Sequence, residues 1–278
     1  MKLFNDVSFK TSKLITNTYS TSFSLATRLF DSETREAIYN IYGFVRVADE
    51  IVDTFHGYDK AYLLEKFEND YYDAINLGIS INPVLHSFQT TVKKYNIPYE
   101  YVRAFMQSMK ADLDIDKYTT RAQMNEYVYG SADVVGLMCL KVFCKGNDDL
   151  FQQLKVSAMK LGSAFQKVNF LRDLKDDTEN LGRNYFPELS YTALTESVKL
   201  LLIQDIENDF AVALRGIKML PGRSKLAVLI AYYYYMNLLR KIKRTPAPSI
   251  LKSRIRVSNA QKIGTLIKAS ISYKLDLV

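Results

Sequence analysis

The chain has 278 residues, 48% hydrophobic and 24% charged, which supplies a large core and excludes a disordered chain. Its formal charge of +7 suits an anionic ligand, a lipid surface or nucleic acid about equally. Only two His, and two Cys at positions 139 and 144, match no zinc-ligand spacing, and a low content of Gly (11) and Pro (6) favours long helices over many short strands.

A first helix is expected over 10–30, with the hydroxyl-rich Tyr19-Ser20-Thr21-Ser22-Phe23-Ser24 near its middle and Arg28 as a solvated arginine beyond it. Asp31 or Ser32 caps a long helix over about 33–55. On its wheel Tyr42, Arg46, Asp49 and Asp53 fall within about 60° of one another, flanked by Ile38, Ile41, Val45 and Val52. An intrahelical ion pair from Arg46 to Asp49 or Glu50 accounts for part of this stripe and leaves Asp53 unexplained. Helices follow over 62–76, from Asn82-Pro83 and from Pro98. Asp112, Asp114 and Asp116 alternate like a calcium loop, but Lys117 and Gln123 stand where Gly and Glu are needed. The stretch reads instead as a loop, able to set an acid against a cation, ahead of a helix starting near Thr120.

From Met124 the next helix carries Tyr127 and then Gly130, Ser131, Ala132 and Gly136, small residues that admit a crossing helix more often than a ligand. Asp133 among them needs a partner if it is buried. On a helix over 150–177, Gln166, Asp173 and Asp177 share a face with Asn169 at its edge, whereas Asp176 is turned roughly 100° from Asp177. The segment Gly182-Arg183-Asn184-Tyr185-Phe186-Pro187 comes next. Helices over 194–215 and 225–243 close the chain's middle, the second holding Tyr232, Tyr233, Tyr234 and Tyr235, of which one or two can face a single cavity. The tail over 250–271 is basic through Lys252, Arg254, Arg256 and Lys262. With no run of 18 uncharged apolar residues and no signal-peptide core, a cytosolic, all-α single domain is expected.

Asp49/Asp53 and Asp173/Asp177 are two D-x-x-x-D pairs on long helices, with Arg46 and Arg172 beside them. Facing one another, they would gather four carboxylates at a cavity mouth, which is costly unless cations offset it. Mg²⁺ takes such oxygens and is commonly completed by substrate phosphate, so a diphosphate is implied, met by Arg46, Arg172, Arg183 or Lys175. No glycine-rich phosphate loop favours a nucleotide. Metals would assist departure of the diphosphate, and aromatic walls would shield an allylic cation. The competing reading is a basic helical protein docking on membranes or RNA, which would leave all four aspartates facing solvent.

At Arg46-Val47-Ala48-Asp49-Glu50-Ile51-Val52-Asp53, and at 169–177 with 182–187, the chain resembles the squalene/phytoene synthase family of head-to-head prenyl condensing enzymes. Ser22-Phe23-Ser24-Leu25-Ala26-Thr27-Arg28-Leu29 and Arg35-Glu36-Ala37-Ile38-Tyr39 look like further signatures, so the likeness covers nearly all of 1–278. The resemblance implies an isoprenoid-synthase helical bundle around a central cavity. It implies Mg²⁺ on Asp49, Asp53, Asp173 and Asp177 (Mn²⁺ able to substitute) and diphosphate on Arg46, Arg172 and Arg183. Tyr127 matches a reaction-centre tyrosine, Gln166 and Asn169 line that centre, and Tyr235 and Arg254 match diphosphate-side residues. Asp133 departs from a usual glycine, putting the cavity wall in question, and Asp176 from a usual glutamate.

Within the family the compact basic chain is most similar to bacterial members joining two geranylgeranyl diphosphates to phytoene in carotenoid biosynthesis, without NADPH. Members joining two farnesyl diphosphates to squalene or dehydrosqualene are the alternative, and the C-terminal anchor of the eukaryotic squalene branch is not found. Expected partners are prenyl diphosphates and the inner membrane surface, touched peripherally through the basic tail, with no nucleic acid and no obligate protein partner.

Overall fold

A computed structural model describes residues 1–190, 193–252 and 254–256, with Gly264 and Tyr273; of Ser22 and Ser190 it describes the backbone alone. Helices α1 (Lys2–Tyr19), α2 (Thr21–Thr27) and α3 (Ser32–Thr54) open the chain, followed by α4 (Lys60–Leu77), α5 (Pro83–Lys94) and α6 (Tyr99–Asp114). A continuous rod then comprises α7 (Arg121–Val128), a π-helical turn (Tyr129–Asp133) and α8 (Val134–Cys144). The chain continues through α9 (Asp148–Asn180), α10 (Glu196–Met219), α11 (Gly222–Arg244) and α12 (Ala247–Ile250). Among the described residues there is no sheet, only an isolated bridge between Lys117 and Asn184. Lys262 lies outside the described residues.

Side-chain caps set most helix starts. Asp31 accepts from the Thr34 amide at 2.9 Å, Asn82 from the Val84 amide at 3.0 Å and Asn147 from the Leu150 amide at 3.0 Å. Thr120 and Gln123 form a reciprocal capping box, which starts α7 where the sequence places it. The helix expected over 10–30 is instead two. Ser20 has extended backbone, and its hydroxyl accepts from the Phe23 amide, so the chain restarts as α2 rather than continuing α1.

The core divides into two clusters, one built mainly from α3–α6 and α8, the other from α7 and α9–α11. Phe44, fully buried, stacks on Phe88 at 4.0 Å in the first, and Phe170 stacks on Tyr185 at 4.1 Å in the second. A cavity of about 1110 Å³ lies between them. Its walls come close through small residues. A Cβ at Gly130 would sit 1.9 Å from the Ser108 hydroxyl, and one at Gly162 would sit 2.7 Å from the Ala132 carbonyl oxygen. Packing, not ligand room, fixes those two glycines. Arg121–Cys144 is long and apolar enough to cross a membrane, but most of that stretch is buried in the bundle, where it walls the cavity.

Candidate active site

The two D-x-x-x-D helices face one cavity. Arg46, Asp49 and Asp53 of α3 line the cavity with Gln166, Asn169, Arg172, Asp173 and Asp177 of α9. Tyr127 of α7, Arg183 beyond α9, Tyr235 of α11 and Arg254 line it too, while Arg28, Asp176 and Lys175, which the sequence offers as a further diphosphate contact, do not. Tyr234 also reaches the cavity, whereas Tyr232 packs edge-on against Phe210 in the core, the division a helix imposes on adjacent residues.

Arginines thread between the acids. Arg46 bonds Asp49 and Glu50 on its own helix and lies over the Tyr19 ring at 4.3 Å, while its Nε is buried without a hydrogen-bond partner. Arg172 and Arg254 both pair with Asp173, the latter through Nε at 2.7 Å. Arg183 joins three elements. Its amide donates to the Asp177 carbonyl at 2.8 Å, its Nη1 to Asp53 at 2.7 Å and its Nη2 to the Asp112 carbonyl at 2.8 Å.

Asp112 is the site residue that the sequence does not assign. It belongs to the end of α6, not to a loop, and its buried carboxylate accepts from the Tyr127 hydroxyl at 2.8 Å and the Tyr185 hydroxyl at 3.5 Å. Burial raises its carboxyl to about 7, against the opposing pull of Arg183. The one available signal was an acid on a helix face otherwise set with Phe105, Ser108 and Met109. Asp133, by contrast, turns away from the cavity. It is buried, accepts from Ser163 at 2.7 Å, and stands near a row in which Lys160 and Lys167 both pair with Asp209. Asp133 is therefore not itself part of the cavity wall.

The donor set suits a hard cation only with help. Among the described residues no three acidic, His or Cys side chains converge tightly enough to hold an ion by themselves. Yet burial together with neighbouring carboxylates raises Asp49 to about 6 and Asp177 to about 7, so positive charge is wanted there. Carboxylates separated around a mouth, completed by ligand oxygens and water, are a Mg²⁺ pattern rather than a preformed cage. Away from this end the walls become apolar, through Phe30, Val135, Phe143, Leu161 and Ile217.

An all-α bundle closed around a cavity with acids and arginines at one end and an apolar remainder is the isoprenoid-synthase class of fold. The profile described as squalene/phytoene synthase matches residues 16–261, and the chain belongs to that family. It is similar to phytoene synthase 1, chloroplastic, of Solanum lycopersicum, with 27% identity over 281 residues, covering 94% of this chain and 66% of that protein. The 4,4'-diapophytoene synthase of Staphylococcus haemolyticus is 23% identical, with 88% of this chain and 90% of that one covered. A crystal structure of a dehydrosqualene synthase in complex with ligand shares the fold, with a TM-score of 0.80, 22% identity and coverage of 97% and 98%.

Proposed function

We propose that residues 1–278 form a catalytic domain joining two prenyl diphosphates head to head (1-1'), taking two geranylgeranyl diphosphates through prephytoene diphosphate to phytoene. The observation that carries this is that Asp49 and Asp53 line one cavity together with Asp173 and Asp177, the rest of which includes apolar walls. Their oxygens would hold Mg²⁺, which when bound supplies Lewis-acid neutralisation of the departing diphosphate. Arg46, Arg172, Arg183 and Arg254, which line the cavity, would meet the remaining diphosphate oxygens. Phe165, stacked on Tyr235 at 4.0 Å, and Tyr127 give aromatic faces to an allylic cation and keep water from it. Gln166 and Asn169 line the same wall, with Asn169 accepting from the Tyr235 hydroxyl at 3.2 Å. The released diphosphate can take the proton lost on ring formation, so no histidine base is needed.

A second reading takes two farnesyl diphosphates, supported by the similarity to the diapophytoene synthase over 88% of this chain. In either case a cytoplasmic enzyme working at the inner membrane face suits a hydrocarbon product with no aqueous sink.

Purified protein incubated with Mg²⁺ and C15 or C20 diphosphates, with and without NADPH, should give phytoene from the C20 substrate irrespective of NADPH. Formation of C30 hydrocarbon alone would overturn the choice of substrate. Asp177→Asn should cut diphosphate release by at least about a hundredfold and Asp176→Asn by less than about threefold, because only Asp177 faces the cavity. Equal loss in both would remove the assigned metal face.

A further inference from the structure

Helix α1 packs inward along a polar stripe, Ser8, Ser12 and Thr16, each 0% exposed, flanked by half-buried Phe4, Phe9 and Ile15 that pack on His86, Tyr39 and the first core cluster. Ser12 hydrogen-bonds Ser87 at 2.8 Å and packs so closely on α3 that a Cβ at Gly43 would lie 2.9 Å from its hydroxyl. The opposite face carries Leu3, Val7 and Leu14, exposed by 78%, 47% and 66%, within an arc of roughly 40° on the wheel. Exposed Lys10 lies at the edge of this arc with Lys2 and Lys13 further round, and Asp6 is the acid among them. With Phe4, Phe9 and Ile15 already packed inward, this second apolar strip is not covered by the bundle and is directed at something outside it.

We propose that this face of α1 lies on a lipid bilayer surface containing anionic lipid. Leucine and valine on one side with lysines beside them are the two parts of an interfacial helix, apolar burial and attraction to negative headgroups. A second copy of the chain fits less well, because a two-fold contact on the same face would bring Lys10 and its flanking lysines against their own images. The helix ends at Tyr19 and Ser20, both of which line the cavity, so the lipid-facing element leads directly to the site. This element is distinct from the basic tail to which the sequence would assign membrane contact.

Flotation of the full chain with liposomes tests this, using phosphatidylcholine alone and phosphatidylcholine mixed with phosphatidylglycerol. The wild type should float with the mixed vesicles. The combined change Leu3→Gln, Val7→Gln and Leu14→Gln should weaken binding by about tenfold or more, since burial of one exposed leucine is worth about that. Lys2→Gln, Lys10→Gln and Lys13→Gln together should weaken it most at low salt. All six positions are exposed, so the melting temperature should stay unchanged. Wild-type flotation by the apolar variant would overturn the proposal. So would a lipid-free dimer, seen by sedimentation, that this variant abolishes. Binding is read without substrate, so failure here leaves the reaction assigned above untouched.

Discussion

Asp112, which lines the cavity beside Asp49 and Asp53, shows how one side chain can organise others. Its carboxylate fixes the Tyr127 and Tyr185 hydroxyls, and its carbonyl holds the arginine that reaches Asp53. Asp112→Ala would leave two buried hydroxyls short of an acceptor, while Asp112→Asn keeps one oxygen in place. The alanine variant should therefore lose turnover by about tenfold to a hundredfold and about 1–3 kcal/mol of stability, and asparagine should restore most of both. Steady-state diphosphate release and thermal melts would check this, and alanine turning over at the wild-type rate would refute it. The aspartates on α3 and α9 were legible because helical spacing alone puts Asp49 with Asp53, and Asp173 with Asp177, on shared faces. Asp112 was not, because its partners Tyr127, Tyr185 and Arg183 lie 15 to 73 positions away and only the fold brings them together.

At the level of elements, what periodicity conceals is backbone crowding. The long helices and most of their caps can be read from the chain, but the turn at Tyr129–Asp133 widens to a π-helix where α6 presses against it. The Val134 amide reaches back to the Tyr129 carbonyl, one residue further than an α-helical bond, and this is where Ser131 and Ala132 face the cavity. Gly130 is the contact point. In Gly130→Ala the new methyl would meet the Ser108 hydroxyl and, at 2.5 Å, the Ala104 carbonyl oxygen, which belongs to backbone and cannot simply rotate away. A loss of about 2–4 kcal/mol is expected, lowering the melting temperature by roughly 5–10 °C. A variant melting within about 2 °C of wild type would mean that α6 and the π turn can separate without cost. The break at Ser20 has the same character. A serine within a helical pattern can cap as well as continue, and here Ser24 donating to the Thr16 carbonyl at 3.1 Å ties α2 back onto α1.

Across the whole molecule, the buried acids make stability depend on pH in a definite direction. Burial raises Asp112, Asp133 and Asp177 to about 7 and Asp49 to about 6, each against about 3.9 for an unfolded aspartate. Between those values the folded chain holds more protons than the unfolded one, so their contribution is full below about pH 4 and is lost as pH rises through about 6 to 7. Asp31, lowered chiefly by the Thr34 amide, acts in the opposite direction and only in the acid range below that window. The metal-free protein should therefore melt several degrees lower at pH 8 than at pH 5.5. Asp133 allows the two sources of this slope to be separated, since it lies outside the cavity and its main partner is Ser163. Asp133→Asn keeps the shape, removes the charge and should raise the melting temperature at both pH values, by more at pH 8 than at pH 5.5, the difference being roughly 5 °C or on the order of 2 kcal/mol. Mg²⁺ with inorganic diphosphate should instead act on Asp49 and Asp177, raising the pH 8 value in wild type and variant alike. A melting temperature flat in pH for the wild type would mean that these carboxyls are already neutralised by the arginines around them, and a diphosphate would then have to displace ion pairs rather than complete them.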